Sequence, residues 1–183
     1  MHPHVLDAAH AFLIVVDLQE TYRDKLHAWD ATVERCARLI QGAQLLDLPV
    51  LCTEQYPKGL GHTAPEILEV LADAPVFEKR SLSVLGAPEA RAALWALGRR
   101  QAIVCGIETH ACISQTVHDL LGAGFRAHVP HDAVSSRHAS DHAAGYAKML
   151  ASGALGGSVE SVLLEGLRTA DHPAFRAVQA LLR

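Results

Sequence analysis

Six short apolar runs, each separated from the next by a turn and a stretch of helix length, limit this chain more than any other feature. The clearest is AFLIVV, Ala11 to Val16, six positions without a polar side chain. A strand with one wet face alternates apolar and polar residues, whereas a run like this belongs to a strand covered on both faces. PVLCT (Pro49 to Thr53), APVFEK (Ala74 to Lys79), QAIVCG (Gln101 to Gly106), RAHVP (Arg126 to Pro130) and GALGGSV (Gly153 to Val159) extend the series.

Helical patterns fill the gaps. Val33, Cys36, Ala37, Ile40 and Ala43 recur on one face behind Asp30, the expected N-cap. Pro88 suits a first turn and Gly98 a C-terminal cap around EARAALWAL. Cys112 to Ala123 carries Ile113, Val117, Leu120 and Leu121 at one-face spacing, and ASDHAAGYAKMLAS and VESVLLEGLR supply two more helices. Strand–helix alternation forces parallel pairing, because each helix carries the chain back to the same edge. The expected fold is α/β, a three-layer α-β-α sandwich with a mostly parallel, six-stranded Rossmann-like sheet and helices on both faces. The 183 residues suffice for one well-buried core, so a single domain over residues 1–183 is expected.

Composition excludes several classes. A net charge of −4 gives no electrostatic footprint for nucleic acid. No apolar run approaches the roughly 18 residues of a membrane span, and MHPHVLDAAH lacks a basic leader region, so a cytoplasmic protein is expected. Four cysteines are too few for a disulfide scaffold, and Cys36, Cys52 and Cys105 fall on apolar core positions. Twelve histidines are scattered without HExxH or finger-like spacing, so neither metal nor cofactor is expected.

Ligands of open parallel sheets sit beyond the carboxyl ends of the strands, where strand order reverses. Asp17 follows the first run, Lys79 ends the third, and Cys112 stands after the fourth in GIETHACISQT. Singly, each has a bland reading: a cap, a solvated charge, a small core residue. Together they bring an acid, a base and a thiol to one rim. A helix start and a nearby cation both lower a thiol pKa, so Cys112 is expected to be an activated nucleophile. Asp17 would accept its proton and return it to a leaving amine, and backbone N–H groups of the turn would hold an oxyanion.

These residues resemble the isochorismatase-like cysteine hydrolase superfamily. VVDLQE, the lysine before SLSV, and GIETHACISQT arrive in the family's order, and the resemblance runs over nearly the whole chain. TEQYPKGLG, DAVSSR and DHPAF look like its isochorismatase domain-containing subgroup. The resemblance implies a catalytic set of Asp17, Lys79 and Cys112 and a cis peptide joining Ile107 to Glu108. It also implies an oxyanion hole from the N–H groups of Glu108 and Cys112, and assembly into a homo-oligomer.

Departures narrow the activity. Nicotinamidases of the superfamily carry an Asp-x-His metal pair where this chain has Glu54 and Tyr56, with only His62 downstream. Tyrosine is a poor ligand for a divalent ion at neutral pH, so a metal site is not expected. True isochorismatases lack the nucleophilic cysteine, so Cys112 points to acyl transfer on a small molecule carrying an amide, ureide or ester. Gln19, Tyr56 and Leu82 are the expected substrate-lining residues. Two rival readings remain open: a catalytically quiet, oligomeric binding protein, and a metal-dependent hydrolase.

Overall fold

A computed structural model describes residues 2–183. The six expected strands are present: β1 (Ala11–Val16), β2 (Val50–Gln55), β3 (Val76–Lys79), β4 (Gln101–Ile107), β5 (Arg126–Pro130) and β7 (Leu155–Gly157). They lie in the order β3-β2-β1-β4-β5-β7, and every pairing is parallel. A two-residue strand the sequence did not signal, β6 (Val134–Ser135), pairs with β4.

The helices are α1 (Trp29–Leu45), α2 (Pro57–Leu60), α3 (Pro65–Leu71), α4 (Pro88–Ala96), α5 (Ser114–Gly122), α6 (Ala139–Ala151), α7 (Val159–Leu167) and α8 (Phe175–Leu181). The short α2 and α3 and the C-terminal α8 carry too few periodic positions to announce themselves. Asp30 is not the N-cap of α1. Ala28, at φ 54°, takes that position, and Asp30 falls in the first turn, where its charge still faces the positive helix end. Gly98 does follow α4, at φ 64°, donating its N–H to the Trp95 carbonyl.

Strand alternation sorts the core into two layers. Leu13 and Val15 of β1, with Ile103, Cys105 and Ile107 of β4, pack under α1, α7 and α8. Phe12, Ile14 and Val16, with Ala102 and Val104, pack under α4, α5 and α6. Both faces are therefore dry, as the unbroken apolar runs require. Among the described residues no helix is long and apolar enough to cross a membrane.

The chain leaves β1 for β2 on one side and returns to β4 on the other, so strand order reverses at β1. There β4 comes unusually close. Gly106 takes φ 113°, and a Cβ on it would stand 2.1 Å from the Val16 carbonyl oxygen, in the residue just before Asp17. Gly106→Ala must therefore strain the backbone and pry the central strands apart. The expected loss in urea unfolding is about 3 kcal/mol or more, and a change below about 0.5 kcal/mol would contradict this packing.

Candidate active site

The carboxyl ends of β1, β2, β3 and β4 meet at the switch point. Asp17 directly follows β1 in the left-handed region at φ 54°, a conformation aspartate tolerates better than most residues. Its N–H donates to the Thr53 carbonyl at 3.0 Å, and its Oδ1 accepts from Thr53 Oγ1 at 2.8 Å. Lys79 ends β3, two strands away, and reaches across β2 to bring Nζ within 2.6 Å of Asp17 Oδ2. Both side chains are buried, the lysine completely.

Four oxygens surround an ammonium with three protons. Gln55 Oε1 at 2.6 Å and the carbonyls of Ser81 at 3.2 Å and Leu82 at 3.0 Å accept them. The contact to Asp17 Oδ2 is therefore ionic and lies off any hydrogen-bond direction, leaving that oxygen without an aligned donor. A buried carboxylate oxygen held this way can still accept a proton.

Cys112 is buried and lies near enough to this pair for the charges of Asp17 and Lys79 to act on its thiol. It does not start α5, as its sequence position suggested. It sits in a π-helical turn, Thr109–Ile113, that precedes the helix, and Ala111 and Ile113 N–H groups both donate to the Glu108 carbonyl. Such wide turns often mark functional positions. The turn is braced from outside: Thr109 Oγ1 contacts His142 Nδ1 at 2.9 Å and His110 Nδ1 contacts Ser136 Oγ at 3.0 Å. Gly145 of α6 lies so close to His110 that a Cβ would stand 2.6 Å from its Cα. The peptide joining Ile107 to Glu108 is cis.

Electrostatics correct one expectation. Cys112 is not an acidified thiol: burial first, then the Asp17 charge, push its pKa up to about 12, and Lys79 offsets only part of this. Asp17 is also raised above its ordinary value, by burial, with Lys79 and Thr53 acting against it. A thiolate beside the carboxylate would put two negative charges against one positive in a dry site. The Cys112 thiol therefore rests protonated.

Asp17 and Cys112 border a cavity of about 90 Å³ lined also by Tyr22, Gln55, Leu82 and Glu108, with Ile107 and Ala111. A larger hollow of about 520 Å³, near Gln101 and Arg126 at the other ends of the strands, contains none of the three residues. Leu82 lines the small cavity as expected, but Gln19 and Tyr56 do not. Gln19 is fully buried and clamps the loop after β2, donating to the carbonyls of Gln55 and Gly61 and accepting from the Gln55 N–H. Tyr56 turns outward at φ 40° and stacks under the Arg80 guanidinium, 3.8 Å from the ring centre. Glu54 spends one oxygen on Thr63 and the other on His62 Nδ1 at 2.9 Å. Thr53, Gln55 and Tyr22 were missed. Thr53 and Gln55 left a weak signal, as polar residues at the end of an apolar run; Tyr22 left none.

An isochorismatase domain matches residues 11–161. The chain belongs to the isochorismatase domain family. Isochorismatase domain-containing protein 2A of Mus musculus is 40% identical over 174 residues, covering 94% of this chain and 82% of that protein. Isochorismatase domain-containing protein 1 of Salmo salar is 38% identical over 168 residues, 91% of this chain but 59% of that longer protein, so the chain spans well under two thirds of it. The MAR1 ribonuclease structure from Caenorhabditis elegans superimposes with a TM-score of 0.92 at 37% identity, over 97% of this chain and 92% of that one. The YcaC gene product of Escherichia coli, an octameric hydrolase of unknown specificity, shares the fold with a TM-score of 0.87 at 22% identity, over 97% and 87% of the two chains. The chain thus has an isochorismatase-family hydrolase fold.

Burial of the ion pair gives a stability test. Lys79→Met leaves a buried carboxylate uncompensated and is expected to cost about 3 kcal/mol at neutral pH. Removing the cation raises the Asp17 pKa further, so acidification neutralises the carboxylate and the cost should shrink towards pH 5. The Asp17→Asn/Lys79→Met double variant should recover most of the loss in urea unfolding. A single variant as stable as the parent at neutral pH would contradict the pairing.

Proposed function

We propose that this chain is a cysteine-dependent hydrolase that cleaves a non-peptide C–N bond, an amide or ureide, in a small molecule through a Cys112 thioester. The convergence of Cys112 and the buried Asp17–Lys79 pair, with Asp17 and Cys112 facing one small cavity, supports the reading. Because the thiol rests protonated, attack and proton transfer belong together. Cys112 Sγ bonds to the carbonyl carbon as its proton passes to Asp17, so the negative charge leaves Asp17 and appears on the oxyanion, and the total charge of site and substrate is unchanged. The N–H groups of Glu108 and Cys112 are the proposed oxyanion donors, supported by the free Glu108 N–H, which has no acceptor among the described residues. Asp17 then protonates the leaving nitrogen, the C–N bond breaks, and the thioester remains. Water attacks the thioester with Asp17 as base, releasing the acid and restoring the thiol. Lys79 holds Asp17 in place and favours its ionised form between the proton transfers.

Two further points complete the reading. We place the chain in a homo-oligomer, supported by the octameric state of the E. coli relative and by exposed Leu68, Trp95 and Leu164 on the outer helices. A reducing, cytoplasmic setting is supported by four free, buried cysteines. RNA is the competing substrate class, because the nematode neighbour carries the name of a ribonuclease. A net charge of −4 and a 90 Å³ cavity speak against it here, since RNA binding draws on basic surface and an extruded base needs a larger pocket.

A panel of small amides, ureides and esters, with a short RNA beside them, tests the assignment. Cys112→Ala should lose turnover of the accepted substrate by at least about 10³-fold while keeping the parent melting temperature. Asp17→Asn should lose comparable activity. An alanine variant with full activity would end the covalent mechanism, and Cys112-dependent RNA cleavage would replace the amide assignment. Light scattering should size the protein as a multimer; a strict monomer would contradict the assembly.

A further inference from the structure

Two polar groups in the cavity are unused by the steps above. The Glu108 side chain is only 10% exposed and lines the cavity. Its Oε1 accepts from Arg137 N–H and Arg137 Nε, both at 3.0 Å, while Oε2 has no partner among the described residues. Tyr22 lines the same cavity, and its hydroxyl also has no partner among the described residues. Burial first, then the neighbouring acidic groups Glu108, Cys112 and Asp17, raise this phenol above its ordinary value, with Arg137 opposing them.

Among the described residues, the cavity offers no free cation to balance its carboxylates. None of its lining residues is basic. The protons of Lys79 are committed to Gln55, Ser81 and Leu82, with its charge against Asp17. Arg137 is half exposed and points its Nε at Glu108 from outside. A carboxylate-bearing substrate would enter about 90 Å³ beside Asp17 and Glu108 with the two neighbouring cations, Lys79 and Arg137, already paired. An amide or ureide instead brings N–H donors, which Oε2 can accept, and a carbonyl or nitrogen that a phenol can address.

Building on the thioester reading, we propose that Glu108 Oε2 and the Tyr22 hydroxyl select a small, uncharged amide or ureide through its N–H groups and reject carboxylate-bearing analogues. The substrates that give the family its name, and N-carbamoyl acids, would then be excluded by charge. Selection would rest on the side chain of the residue whose backbone N–H is proposed to serve the oxyanion.

Iodoacetamide and iodoacetate test this at Cys112 because they have nearly the same shape and differ in charge. Their alkylation rates on the folded chain, resolved by peptide mass spectrometry, are compared with those of glutathione under the same conditions. The amide-to-acid rate ratio at Cys112 should exceed that of glutathione at least tenfold. Glu108→Gln should lower the ratio at least threefold, and Tyr22→Phe should slow iodoacetamide more than iodoacetate. Arg137→Ala, which leaves the carboxylate uncompensated, should widen the ratio and serves if Glu108→Gln does not fold. A ratio equal to that of glutathione, a ratio unmoved in these variants, or a Cys112 inert to both reagents would overturn the proposal. The thioester reading is judged separately. It survives a lost charge preference if Cys112→Ala still abolishes turnover, and it falls if the preference holds in a chain that hydrolyses no amide or ureide.

Discussion

The contact between Lys79 Nζ and Asp17 Oδ2, 2.6 Å long and closed to water, is the interaction on which the rest of the site depends. Burying a carboxylate and an ammonium costs several kcal/mol per ion unless each is compensated by the other and by further hydrogen bonds. Here Thr53, Gln55 and two backbone carbonyls supply those bonds. The compensation is incomplete. Asp17 remains raised above its ordinary pKa, so ionising it costs the fold stability as pH rises through that value. A carboxylate that gives up stability in order to stay ionised is a stronger base than one in water, which is what a site with a protonated thiol needs.

The fold makes this pair possible by bringing three distant strand ends to one point. Parallel pairing puts the carboxyl ends of β3, β2, β1 and β4 on one rim, and the β2–β3 register sets Gln55 opposite Lys79. Gly106 lets β4 press against β1 just below Asp17. The π-helical turn then carries Cys112 in over the pair, with α6 braced against its outer side at Gly145. Each device is local, and together they enclose a cavity that admits little more than one functional group.

Much of this was legible in the amino-acid sequence, for a physical reason. Strands buried on both faces must be apolar throughout, so AFLIVV and QAIVCG declared the sheet, and polar residues directly after such runs could only stand at its rim. Asp17, Lys79 and Cys112 were visible on that logic. Pairwise register and loop return were not. Thr53 and Gln55 become partners of the ion pair only because β2 lies between β1 and β3, and Tyr22 reaches the cavity through a loop with no periodic pattern. Gln19 and Tyr56 stood at plausible rim positions, yet Gln19 turned inward to clamp a loop and Tyr56 outward onto Arg80. The sequence placed a cation near the thiol, but the sign of the thiol shift depends on burial and on Asp17, which outweigh it.

The account turns on which group holds the proton at rest. Thiolate absorbance near 240 nm, taken as the difference between the parent protein and Cys112→Ala across a pH titration, reads that directly. The account predicts no Cys112 thiolate between pH 6 and 9 and an ionisation pushed up to about 12. A difference signal already present at neutral pH, titrating below the ~8.5 of a free thiol, would show a preformed thiolate. It would contradict a mechanism in which Asp17 takes the proton during attack.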